Sequence, residues 1–397
     1  MGPPIEPACQ AGRSVPDGGR RMPRILIVTG EASGDLHGAN LAREILSLDP
    51  SAQLVGIGGN GMKAAGVALI PGVPQLDLVG LIGLSAVRAL VQRIRAIRRV
   101  LRSEPWDLVV LIDNPALNLH FARVARAAKQ KVLYYIAPQI WAWRPRRIKW
   151  IQRRVNHVVV ILPFEQEIYR RAGVPCTYVG HPLLDAVAPR YDRPALRRRF
   201  GLDPEAPVVG LLPGSRVAEV ELLMPVLLKA AADFLARYPK TQFILAQAPS
   251  IKDALIREQL HGSPVPVVLV RDQASEVMAA SDILWIASGT ATLQAAVVGT
   301  PMVLLYKTTL PTYVVARCLI KVKWIGLVNL IAGSSVVPEL IQGDATAERL
   351  IAQTERLLND RRAYDDMKDN LQQVRLTLGE PGASRRAAQV VLDECRV

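Results

Sequence analysis

Four short polar clusters along the chain have residue types and spacing suited to chemistry. Each follows a brief apolar run, the place where open α/β sheets present their loops. The first, Gly30-Glu31-Ala32-Ser33-Gly34-Asp35, combines a tight glycine turn with a hydroxyl and carboxylates at a helix start; Glu31, Ser33 and Asp35 fit a substrate cleft. The same residues also fit an N-cap with a dipole-favoured carboxylate. The second is Asp113-Asn114-Pro115, after DLVVLI. A carboxylate there can take the proton of an attacking hydroxyl, or simply cap a loop. The third, Gly214-Ser215-Arg216, offers backbone N–H groups, a hydroxyl and a guanidinium that together suit a diphosphate leaving group. The fourth runs from Ala287 through Ser288, Gly289 and Thr290 to Gln294, a second helix-start anion cradle with an amide one turn on.

Other chemistries lack their signatures. The Gly30–Asp35 turn is not the dinucleotide fingerprint, which makes a nicotinamide cofactor a weak alternative; GxxxxGK[ST], GxSxG, HExxH and DxD are absent, so nothing points to a Walker loop, a serine hydrolase or a metal. The five histidines form no metal box. His181, before Pro182, can meet a phosphate or cap a turn. The four cysteines have neither metal-ligand spacing nor a disulfide pattern, which suits reduced thiols.

The formal charge is +14, from 49 Lys and Arg against 35 Asp and Glu. The excess is densest over 88–102 and 144–154, and across 138–150 Trp141, Trp143 and Trp150 interleave with Arg144 and further cations. This composition suits an anionic membrane surface or an acylated, phosphorylated substrate; no zinc finger, RNA-binding sheet motif or basic arm points to nucleic acid. No uninterrupted apolar stretch reaches the roughly 20 residues needed to span a bilayer, so membrane contact is expected to be peripheral.

The elements that must position these clusters read as α/β. Short apolar runs alternate with helical patterns, and 397 residues suit two domains. The expected architecture is two Rossmann-like domains facing an inter-domain cleft. Residues 1–22 read as a disordered extension, 23–188 as a first Rossmann-like domain, and 189–365 as a second. Residues 366–397 read as terminal helices packing back on the first domain. Pro189 and Pro194 mark the linker, and 85–101 reads as a long amphipathic helix with arginines between its apolar positions.

With these segments in order, the chain resembles bacterial lipid-A-disaccharide synthases, inverting glycosyltransferases of the GT-B architecture. The resemblance is carried by TGEASGD, IDNPALN, PQIWAWRPRRI, LPFEQEIY, VGHPLLD, LLPGSRVAEVE, ASGTATLQ and LVNLIAG, over about 24–345. It implies transfer from UDP-2,3-diacylglucosamine to 2,3-diacylglucosamine 1-phosphate without a metal or other cofactor. It implies Asp113 as general base and Arg216 with Ser215 on the diphosphate. Ser288, Gly289, Thr290 and Gln294 would then line the nucleotide site, with Asn329 a further polar residue of that cleft. A homodimer that exchanges C-terminal elements is also implied. The sequence departs from the family pattern at Gly83, Ala116, Gln294 and Val328, which bears on donor or acceptor recognition. A divergent GT-B transferase, a sugar-nucleotide 2-epimerase and a noncatalytic lipid-binding protein are the alternative readings.

Overall fold

The computed structural model describes residues 22–30, 32–71, 84–138, 140, 147–309, 313 and 323–396, with backbone alone at 32, 84–90, 93 and 116. Trp141, Trp143, Arg144, Glu31 and Gly83 lie outside the described residues.

The first sheet has seven strands: β1 (Arg24–Thr29), β2 (Gln53–Ile57), β3 (Ala68–Leu69), β4 (Leu108–Ile112), β5 (Val132–Tyr135), β6 (His157–Val160) and β7 (Cys176–Tyr178). All pairs are parallel and the order is β3-β2-β1-β4-β5-β6-β7. The central strands RILIVT and LVVLI are apolar almost throughout because helices cover both faces of the sheet. Ile25 and Ile27 pack towards one layer, Leu26 and Val28 towards the other.

The second sheet has six strands: β8 (Val208–Leu212), β9 (Gln242–Gln247), β10 (Val267–Arg271), β11 (Ile283–Ala287), β12 (Met302–Tyr306) and β13 (Glu339–Ile341). It is again parallel, in the order β10-β9-β8-β11-β12-β13. Trp285 is fully buried at its centre, and its indole N–H donates to Thr354 Oγ1 at 2.9 Å. The two Rossmann-like halves form a GT-B fold.

Two features of the chain path differ from the sequence reading. The segment around Pro194 carries a helix, Arg193–Arg199, with Asp192 Oδ1 accepting from Ala195 N at 2.9 Å and Pro194 in the first turn. Proline in a first turn lacks only an N–H that would have no partner there anyway. The helix is fixed to the second domain by Arg197, which is 5 % exposed and pairs with Asp282 at 2.7 Å. The terminal helices also divide. Met367, Leu371 and Val374 of the helix Arg361–Thr377 enter the second domain's core, whereas Val391 and Leu392 of the helix Ala383–Arg396 pack with Ile25 and Leu41 of the first.

Candidate active site

Strand order reverses between β1 and β4 in the first sheet and between β8 and β11 in the second, and crevices open at such points. The four polar clusters follow these four strands. Gly30–Asp35 and Asp113 flank the first switch point; Gly214–Arg216 and Ser288–Thr290 flank the second.

Asp113 and Asn114 both adopt left-handed backbone, at φ 51° and 42°. Such conformations are costly for residues with a side chain and persist where surrounding contacts enforce them. Here the Asp113 carbonyl accepts from Tyr134 Oη at 2.6 Å and from Asn118 Nδ2 at 2.7 Å. Tyr134 is fully buried. Burial first, and then the Asp113 charge, hold its phenol well above the usual range, so it remains a donor. Asn114 Oδ1 accepts from Leu117 N at 3.4 Å, and Pro115 opens the helix Pro115–Ala127. A Cβ on Gly30 would lie 2.3 Å from Asn114 Nδ2, so the first two clusters meet here and require glycine at 30. That amide nitrogen is buried with no hydrogen-bond partner among the described residues.

Asp35, read as a cleft residue or a dipole-favoured carboxylate, does lie in the first turn of the helix Ala32–Leu48, and its carboxylate also holds the next loop. Its oxygens accept from Gly59 N (2.7 Å), Gly61 N (2.9 Å) and Met62 N (3.1 Å), which caps the short helix Asn60–Ala64. Ser33 is exposed. His181 is 5 % exposed; its Nδ1 accepts from Leu183 N at 3.2 Å. Burial depresses both His181 and His37 to about 4, and the nearby His37 lowers His181 further.

Across the second sheet, Arg216 is the N-cap of the helix Val217–Arg237. Gly214 supplies the left-handed turn at φ 114°. Ser215's carbonyl accepts from Ser250 Oγ at 2.6 Å. Ser288 N donates to Leu305 O at 2.9 Å, drawing the β11 loop to the end of β12. Gly289 and Thr290 are exposed at the start of the helix Thr290–Val298. Gln294 Nε2 donates to Ser275 Oγ at 2.6 Å, which leaves its carbonyl oxygen as the acceptor of the pair.

Asn329 differs most from expectation. Rather than lining the cleft it is 0 % exposed, and both ends of its amide are engaged. Nδ2 donates to Val337 O and Glu339 Oε1; Oδ1 accepts from Val336 N and Val337 N. Glu339 in turn accepts from Ile325 N and Gly326 N, beside Ser288. Asn329 therefore holds the loop that lies beside Ser288 at the second switch point. Asn118, Tyr134 and Ser275 were not singled out from the sequence, because their partners come from other elements.

A family model described as lipid-A-disaccharide synthetase matches residues 25–393. The chain belongs to the lipid-A-disaccharide synthetase family. The synthase of Geobacter metallireducens is 46% identical over 371 residues, 93% of this chain and 97% of that protein. The Nitrosococcus oceani synthase is 40% identical over 371 residues, 93% and 96% of the two chains. Among solved structures, UDP-GlcNAc 2-epimerase from Neisseria meningitidis bound to UDP-GlcNAc has a TM-score of 0.65 at 14% identity, covering 93% of this chain and all of that one. The calicheamicin glycosyltransferase CalG4 has a TM-score of 0.58 at 16% identity, over 94% and 98% of the chains. These two likenesses speak to the fold. Membership of the lipid-A-disaccharide synthetase family makes the chain an inverting glycosyltransferase.

Proposed function

We propose that the chain performs the family's reaction through Asp113 on the acceptor side and Arg216 on the donor side. The reaction joins UDP-2,3-diacylglucosamine to 2,3-diacylglucosamine 1-phosphate, giving a β-1,6-linked disaccharide 1-phosphate and UDP. The acceptor hydroxyl gives its proton to the Asp113 carboxylate as its oxygen bonds to the anomeric carbon. The bond from that carbon to the diphosphate oxygen breaks with inversion, and UDP leaves with the electron pair. Arg216 and the N–H groups of the Gly214–Arg216 turn meet the charge that develops on UDP. Ser288, Gly289 and Thr290 line the nucleotide, and the Gln294 carbonyl accepts from ribose. Glu31, Ser33, Asp35, His181 and the Trp141–Arg144 stretch border the acceptor. Among the described residues no group of three His, Cys, Asp or Glu could hold a metal ion.

The observation that carries this reading is the placement of Asp113 at one switch point and two helix-start cradles at the other. Acylated substrates and the basic helices of the first domain support work at the cytoplasmic face of the inner membrane. No described helix is long and apolar enough to cross a membrane. Mass spectrometry of a detergent-micelle reaction with both lipid substrates tests the assignment. Disaccharide 1-phosphate is expected, with formation slowed ~10²–10⁴-fold in Asp113→Asn while UDP still binds. Full turnover by Asp113→Asn would remove the base.

A further inference from the structure

We infer that the face shared by the helices Leu84–Ser103, Pro115–Ala127 and Ile148–Arg154 is a seat for the phosphates of anionic lipid headgroups, centred on Arg98, His120, Arg123 and Arg154. It deepens the membrane part of the reading above and rests on it.

None of the three helices carries an Asp or Glu. On the first, Val91, Arg95, Arg98, Arg99 and Arg102 recur at helical spacing along one stripe, while Ile97 and Leu101 on another are fully buried. Arg95, Arg98, Arg99, Arg102 and Ser103 line a groove of about 430 Å³. The nearest carboxylate past that helix, Glu104, is paired with Arg24.

The helices are joined through their cations. Arg98 Nε donates to His120 Nε2 at 2.9 Å, and Arg154 Nη1 donates to Leu119 O at 3.0 Å. Arg154 also lies over the Trp150 ring at 5.1 Å, and Trp150 is 47 % exposed. The charges feel one another. After burial, Arg98, Arg123 and Arg154 all depress His120; after burial, Arg123 and Arg153 depress Arg154. Like charges held this close on carboxylate-free helices are relieved by a bound anion.

Two observations make that anion a lipid phosphate. Trp150 and Val91 leave apolar surface exposed beside the cations, as at a headgroup boundary. The helix bearing His120 and Arg123 also begins directly after Asp113–Asn114. Arg123 is about 12 Å along it at the usual helical rise. A glycolipid sugar at Asp113 therefore sits within a short reach of phosphates on this face.

Flotation of the full chain with phosphatidylcholine vesicles, with and without phosphatidylglycerol, tests the seat. The triple variant Arg98→Gln, Arg123→Gln, Arg154→Gln is expected to lose binding to phosphatidylglycerol vesicles by ~100-fold, about fivefold per charge. UDP release from detergent-dispersed substrates should remain near the parent rate. A second variant on the exposed stripe, Arg95→Gln, Arg99→Gln, Arg102→Gln, leaves the inter-helix bonds intact and should lose binding similarly. Unchanged vesicle binding in both variants would overturn the seat. So would release by inorganic phosphate at an ionic strength where chloride has no effect, which marks a free-phosphate site. A single-stranded oligonucleotide that competes at equal affinity would also overturn it. Parent protein that floats with vesicles but makes no disaccharide would sink the transferase reading while leaving the seat standing.

Discussion

The Glu219 carboxylate lies across the turn that carries Arg216. Oε1 is 2.9 Å from Arg216 Nη1, and Oε2 accepts from Ser215 N at 3.1 Å and Arg216 N at 3.3 Å. A Cβ on Gly214 would come within 2.5 Å of Oε2, so the turn closes on this side chain. These are the same donors that the proposed mechanism offers to the UDP diphosphate. Glu219 thus keeps the cradle satisfied and has to yield when UDP arrives.

Glu219→Gln retains the shape and removes the competing charge. Calorimetry should show UDP binding severalfold tighter, while the weakened cap costs roughly 1 kcal/mol of stability. Weaker UDP binding would mean that Glu219 chiefly orients Arg216 for the ligand.

Tyr134→Phe deletes one donor to the strained Asp113 carbonyl and leaves Asn118 as the other. The turn should relax by about 1 kcal/mol. A fall in kcat of roughly tenfold with KM unmoved is expected in the micelle assay. An unchanged kcat would show that Asn118 alone holds the turn.

The neighbouring His37, half-buried, and His181, buried, give the fold a pH dependence. Both stay neutral down to about 4, whereas an unfolded imidazole takes up its proton below about 6.5. The unfolded state therefore binds more protons between those values, and stability falls as pH drops through that window. The loss approaches ~3 kcal/mol per histidine at the acid end. Thermal unfolding at neutral pH and at pH about 5 should show a lower midpoint in acid. The double variant His37→Gln, His181→Gln should flatten that slope; an unaltered slope would place the effect elsewhere.

Much of this was legible in the sequence, for identifiable reasons. Strands such as RILIVT and LVVLI are short apolar runs ended by Gly or Asp, and those ends mark the two switch points. Asp113 and Arg216 stand out because their neighbours in sequence are their neighbours in the turn. Asn329 was legible as important but not in its role, since its partners lie on 336–339. Asp35 grips a loop that follows β2, more than twenty residues away. Pro194 suggested a linker because its composition fits one, and only the Asp192 cap and the buried Arg197–Asp282 pair make it a helix.

Asn329→Ala strips partners from Val336 N, Val337 N and the Glu339 carboxylate at once. A loss of ~3 kcal/mol is expected, because buried donors are left unpaired. UDP affinity should fall with it, as the Ile325–Gly326 loop beside Ser288 loosens. Unaltered stability with lost UDP affinity would indicate direct contact with the ligand instead.

The return of the helix Ala383–Arg396 to the first domain means that the chain crosses between domains twice. The crossings are tied together where His181 N donates to Leu378 O at 3.0 Å, and Asp185 accepts from Gly382 N and Ser384 N beside it. A single linker would leave the halves free to swivel in any direction. Two adjacent crossings bonded to each other restrict that swivelling more than a single linker would.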